Sequence, residues 1–361
     1  ISACLVGSEM CIRDRQDRAL PATERRTMNT ALFYLAFVLI SSGLMVIAFG
    51  PTWREWRHPT DTEALQVLPH YTTDIDHFAD RFRALVQAHQ AQVPGPYSNE
   101  FDFAPVSLEG VNWAGMLRPL VCLGSVKPQT AIQCAVPLFV HGDFDAPARS
   151  RFVGLLAQGR IRLGAGSDVG QWAHADASLH LARGCSGLRR LSSSTAVELE
   201  ADCCFERIQA PHIRFGGDAA LQPEREHAPL IEASFDRLEG ALRQSEHVTL
   251  VRGDCKLPRM HRYHGSLVVT GRLLIGAGTV IEGDVKARGG IVMGDHARVQ
   301  GSLCSEKQIQ LLDHAQVAGP VVSESGILLG AGVQVGSPQA LTTVSAETIM
   351  AEAGARAHGT V

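Results

Sequence analysis

Over the last hundred residues, short apolar groups recur at one fixed step. RLLIG (272–276), GIVMG (290–294), QIQLL (308–312) and GILLG (326–330) are each 18 residues apart. Gly265, Gly283, Gly301 and Gly319 form a second ladder with the same step, and Gly276, Gly294 and Gly330 close three of the apolar groups. Stretches this short, separated by Gly or small polar turns, suit strands rather than helices. A period held over many repeats marks a solenoid. The pattern therefore predicts a mainly β fold, a parallel β-helix or β-solenoid with 18-residue rungs. Ile275, Met293, Leu311 and Leu329 should stack inward, with glycines at corners that need a positive φ or close backbone approach.

The same step appears earlier in RIRLG (160–164), SLHLA (178–182) and AVELE (196–200), with HIRFG (212–216) following a shortened rung. Leu163, Leu181 and Leu199 are the matching inward positions. GDFDAPARSRFVG (142–154) also aligns with GDCKLPRMHRYHG (253–265) at a constant offset of 111 residues, pairing Gly142 with Gly253, Asp143 with Asp254 and Pro147 with Pro258. A duplicated unit accounts for this, so two tandem β-helical units are expected, at 136–216 and 251–361. Within the connecting segment 217–250, Leu230, Ile231, Phe235, Leu238 and Leu242 fall at helical spacing and predict a helix over 229–245.

The N-terminal third reads differently. Leu5 to Arg15 (LVGSEMCIRDR) resembles a translated sequencing-library adapter, so residues 1–15 are set apart from fold reasoning as an artefact and Met28 is the expected start. Residues 31–50 (ALFYLAFVLISSGLMVIAFG) carry no charge and, at about 1.5 Å per residue, match a hydrocarbon core of about 30 Å. They predict a single transmembrane helix, with Trp53 and Trp56 at the interface. Arg54 and Arg57 then place the C-terminal bulk on the cytoplasmic side of a bacterial inner membrane. The following membrane-proximal segment, 51–135, holds one helical stripe over 73–88, formed by Ile75, Phe78, Phe82, Leu85 and Val86. Residues 91–105, with Pro94, Gly95 and Pro96, read as a linker.

Composition narrows the function. Lys and Arg number 33 against 37 Asp and Glu, a net charge of −4 that gives no electrostatic footprint for nucleic acid. Beyond the first 15 residues the cysteines are Cys122, Cys134, Cys185, Cys203, Cys204, Cys255 and Cys304, with no CxxC pair, so reduced thiols are expected rather than a disulfide framework or a metal site. No catalytic, cofactor-binding or metal-ligating residue is assigned, and no cofactor is expected.

The residues GSLVVTGRLLIGAGTVIEGDVKARGGIVMGDHARVQGSL (265–303) carry a resemblance to the bactofilin family of bacterial polymer-forming cytoskeletal proteins. It covers 263–361 well and 136–216 weakly. The resemblance implies a β-helix that polymerises end to end without nucleotide, its partners being further copies of itself and the membrane. The expected function is thus a membrane-anchored, self-assembling, non-enzymatic scaffold. Two alternatives stand beside it. An 18-residue rung is also three hexapeptides, as in left-handed β-helix acyltransferases, for which His296, His314 or His358 would be the general base. A solenoid could also present a binding surface to a cell-envelope partner. A terminal rung exposes unpaired backbone groups and an apolar section, and this chain runs to Val361 in repeat-like sequence with no polar cap, so its C-terminal end is expected to pair with another copy.

Overall fold

The computed structural model describes residues 23–57, 75–91, 101–104, 111, 113–217 and 229–361. Residues 1–15 and most of the 91–105 linker lie outside the described residues. The chain divides into an N-terminal unit ending at Tyr71 and a larger unit from Thr72 to Val361. In the first unit a helix, α1 (Thr23–Arg57), contains an apolar stretch, Leu32–Arg54, with a mean hydropathy of 2.4 and the length a membrane span requires. The Arg57 guanidinium lies 4.2 Å from the centroid of the Trp53 ring, one turn earlier.

The second unit is a parallel β-solenoid of about 13 turns. Short strands on three faces hydrogen-bond to the equivalent strands of the next rung. In the second array the register runs Leu273↔Ile291↔Ile309↔Ile327, a step of 18 each time. The last step, Ile327↔Ile349, is longer, because the chain makes a surface loop around Ser337 and Ala340. In the first array Ile161↔Leu179↔Val197 keeps the step, and Val197↔Ile213 is the shortened rung.

Alternation puts one residue in two into the interior. Ile275, Met293, Leu311, Leu329, Leu163, Leu181 and Leu199 are all buried there. Each fully buried aliphatic side chain contributes about 1.5–3 kcal/mol, and the contributions repeat rung by rung. The interior of both arrays is one continuous apolar cluster.

Three features depart from the sequence reading. The first array begins earlier than residue 136: strands Asp102–Ala104 and Leu120–Cys122 pair in register with Leu138–Val140. The 18-residue step is present there too, in PLVCLG (119–124) and PLFVHG (137–142), each an apolar run closed by a glycine, although the array was expected to begin only at residue 136. Second, 229–245 is not a helix. It forms strand Ile231–Ala233, a single 3-10 turn at Phe235–Arg237 capped by Ser234, and strand Ala241–Arg243. Gly240 at φ +73° interrupts a helical path, and backbone pairing with Val248–Val251 and His261–His264 satisfies the segment's polar groups. Phe235 from this stripe is buried, stacked on Tyr263 at 4.7 Å, whereas Ile231 and Leu242 stay exposed.

The third concerns the glycine ladders. Of the seven, only Gly265 has a positive φ. A Cβ on Gly283 would lie 2.2 Å from the Gly265 carbonyl oxygen, and one on Gly301 would lie 2.5 Å from that of Gly283. Close stacking of backbone on backbone is what requires glycine there. The left-handed corner is a different column: Met260, Gly278, His296, His314 and Gly332 all sit near φ +60°. His296 and His314 are thus corner residues whose rings stack at 4.9 Å.

Helix α2 (His77–Ala91) lies on one face of the first array. It buries Ala79, Phe82 and Val86 against Phe139, Leu156 and Trp172. Phe78 and Leu85, expected in the same stripe, face outward instead, Phe78 beneath the Arg190 guanidinium at 4.6 Å.

Candidate functional site

The two arrays meet through their last rungs. Strand Phe205–Phe215 closes the first array and pairs antiparallel with strand Arg356–Thr360, which closes the second, in the register Gln209↔Thr360, Ala210↔Gly359, Ile213↔Ala357 and Arg214↔Arg356. Ile208 and Val361 exchange backbone hydrogen bonds of 2.7 and 2.8 Å, and the Phe215 N–H donates to the Ala355 carbonyl at 3.0 Å. Ile213, Phe215, Ala355, Ala357 and Val361 close the apolar section. The C-terminal rung, expected to need a second molecule, is therefore paired within the chain. Duplicated units present like ends to one another, and like ends of two parallel stacks meet antiparallel.

A cleft of about 350 Å³ opens on the surface of this junction, lined from both arrays by Glu198, His212, Arg214, Gln334, Arg356 and His358 among others. Outward side chains of successive strands form one row across it: His180, Glu198, Arg214, Arg356, Gln334. Arg214 faces Arg356 directly in register, with Glu198 3.7 Å from Arg214. Beside them the His212 and His358 rings are 5.2 Å apart. His358 is buried, and its Nδ1 donates to the Pro211 carbonyl at 2.7 Å. Burial, reinforced by the neighbouring His212 and Arg356 charges, holds its pKa below the ordinary histidine value.

No family model, curated protein or solved structure matches this chain. The functional reading therefore rests on its own geometry.

A second polar cluster lies under α2. His174 and Ser192 occupy the same position on successive rungs. His174 Nδ1 is 2.8 Å from Ser192 Oγ, and its Nε2 is 3.1 Å from Asp176 Oδ1. Asp176 also pairs with Arg83 of α2, and Asp76, just before the helix, reaches to 3.4 Å from His174 Nδ1. A hydroxyl on one imidazole nitrogen and a carboxylate on the other is a nucleophile–base connectivity. Here, however, Ser192 is 2% exposed and His174 4%, beneath a packed helix, so the cluster ties α2 to the solenoid. Sequence reading passed over it, although an 18-residue separation of His174 and Ser192 was the available signal.

Asp76 supplies a test of that role. Burial pushes its carboxyl up, but the facing His174 and Ser192, with the charges of His174 and Arg83, outweigh this and hold it below the usual carboxylate range. Its stabilising contribution is therefore present above about pH 4 and lost as pH falls through the lowered folded value. Acidification below pH 4 should release α2, read as a change in the fluorescence of Trp172 before the β circular-dichroism signal falls. Asp76→Asn should shift this early change to higher pH or abolish it. An early change identical in that variant would assign the transition to another group.

The remaining sequence candidates are dispersed. His296 and His314 stand on a corner column away from the junction, whereas His358 lines the cleft. Cys185 and Cys203 occupy neighbouring corners, where the hydrogen bond between them lowers Cys203 and raises Cys185. Burial pushes Cys122 up to about 12. Among the described residues no three His, Cys, Asp or Glu side chains gather as metal ligands.

Proposed function

We propose that the chain is a non-enzymatic, membrane-anchored scaffold of the bactofilin kind that self-associates through the ends of its β-solenoid. The observation that carries the reading is the junction itself: within one molecule, two terminal rungs of this sequence type already join edge to edge into one continuous core. With both C-terminal rungs used internally, the ends left for other copies are the two N-terminal ones. Strand Asp102–Ala104 pairs on one edge only among the described residues, and Phe103 there is 54% exposed. At the opposite end Ile231 and Leu242 are exposed. Contacts between ends related by duplication extend into filaments without polarity. The apolar α1 would hold such filaments against the inner membrane, with Arg54 and Arg57 favouring the cytoplasmic face.

The full chain in detergent, free of nucleotide, should form rods longer than the roughly 60 Å of one solenoid, since 13 rungs stack at about 4.8 Å. Negative-stain microscopy and sedimentation would read this. Phe103→Glu or Ile231→Glu alone should shorten the rods to dimers, and the two together to single molecules, while leaving the melting temperature within a few degrees. A monomer at every concentration, or rods unaffected by both substitutions, would overturn the reading.

A further inference from the structure

We propose that Cys203 is a hydroperoxide-reactive thiol that closes a reversible disulfide with Cys185, stapling the last two rungs of the first array beside the junction. The placement of the two side chains carries the argument. Each follows a left-handed corner residue, Gly184 at φ +74° and Asp202 at φ +61°, so both occupy one corner position on successive rungs. The Cys204 N–H donates to the Cys185 carbonyl at 3.0 Å, which fixes the spacing of the two backbones. Rungs stack about 4.8 Å apart, within the separation of about 4.4–6.8 Å between Cα atoms that a disulfide spans. The two thiols already meet in a hydrogen bond. In the second array the same corner position holds Ala297 and Ala315, both fully buried, so packing there needs no sulfur.

The two thiols divide the chemistry. Cys203 is half-buried and Cys185 fully buried. The hydrogen bond from Cys185, with the Cys185 and Gly184 backbone N–H groups, outweighs burial and holds the Cys203 thiol below the ordinary cysteine value. The thiolate is the form that reacts. It attacks the terminal oxygen of a hydroperoxide, and the O–O bond breaks to leave a sulfenic acid on Cys203 and an alkoxide that departs, once protonated, as the alcohol. The Cys185 sulfur, released from its bond to the thiolate, then attacks the sulfenic sulfur. The S–S bond forms, the S–O bond breaks, and the Cys185 proton leaves with the hydroxyl as water. Two thiols are oxidised and one peroxide is reduced. Cys122 and Cys134 also lie close together, but both are buried, and burial raises both, so neither offers a thiolate. Cys203 stands two residues before strand Phe205–Phe215, so the bridge stiffens the approach to the strand that joins the arrays.

The test uses the full chain in detergent, reduced and then treated with hydrogen peroxide. Peptide mapping by mass spectrometry should find Cys185 and Cys203 joined with the loss of two hydrogens, and dithiothreitol should restore both thiols. The linked chain should melt about 5 °C higher and exchange amides more slowly at 205–215, since the bridge closes a loop of one rung. Cys185→Ala should stop at the sulfenic acid on Cys203, trapped by dimedone, and Cys203→Ala should leave Cys185 reduced. Both variants should fold, because alanine fills this position in the second array. Cys204→Ala should leave the link intact. Cys185 and Cys203 recovered as thiols, a link through Cys204 to another chain, or dimedone adducts at other cysteines and none at Cys203, would overturn the proposal.

Discussion

Met293→Asp is expected to unfold the second array. Met293 is fully buried, stacked in register between Ile275 and Leu311 at the centre of the array. A carboxylate there would have neither water nor a hydrogen-bond partner, a cost of several kcal/mol added to the lost apolar burial. In a solenoid the damage spreads, because each rung is stable only through its neighbours. The loss should exceed about 4 kcal/mol and lower the melting temperature by about 10 °C or more. Circular-dichroism melting of the full chain checks it, and an unchanged melting temperature would mean that Met293 does not point inward. Lys286→Asp, on an exposed outward position of the next face, is the control expected to change little.

Gly359→Val should open the junction. Gly359 lies opposite Ala210 at φ +119°, and a Cβ there would sit 2.2 Å from the Thr342 carbonyl oxygen. A β-branched residue meets both backbone strain and a backbone clash, together about 3 kcal/mol or more. The two arrays remain folded but lose their mutual cap, so two C-terminal rungs with apolar sections become free to pair between molecules. Hydrogen exchange should accelerate at 208–215 and 355–361, and sedimentation should show association that grows with concentration. Gly253→Ala separates strain from clash, since Gly253 has φ +87° but an added Cβ would meet nothing within 4 Å. That variant should cost about 1 kcal/mol and leave the junction closed. Protected amides in Gly359→Val would show that the junction tolerates the added side chain.

Much of this architecture was legible because solenoid contacts are short in sequence. A residue and its rung partner lie 18 positions apart, so the alternation that buries Leu273, Ile291, Ile309 and Ile327 is written as a period that can be counted. The apolar α1 was equally plain. The stripe over 229–245 misled for a physical reason: helical spacing records which residues are apolar, whereas the backbone went to strand pairing at a sheet end that needed covering. The early rungs were legible in the same way, since PLVCLG (119–124) and PLFVHG (137–142) repeat at the 18-residue step, whereas the strand Asp102–Ala104 carries no such run closed by glycine.

The candidate site was nearly invisible beforehand. His358 was noticed as a histidine in the repeat, but its neighbours Pro211 and His212 are about 147 residues away in the chain. An antiparallel meeting of two ends leaves no periodic trace.

What the sequence by itself determined is the rung: its 18-residue length, the inward aliphatic positions, the duplication and the apolar helix, all set by local alternation and nearest-rung pairing. Only the tertiary structure decided how the duplicated units use their ends. That choice depends on backbone edges finding partners, and unpaired N–H and C=O groups are satisfied by whichever strand can reach them. Here the reach of the chain brought one C-terminal rung against the other, and with it two arginines face to face.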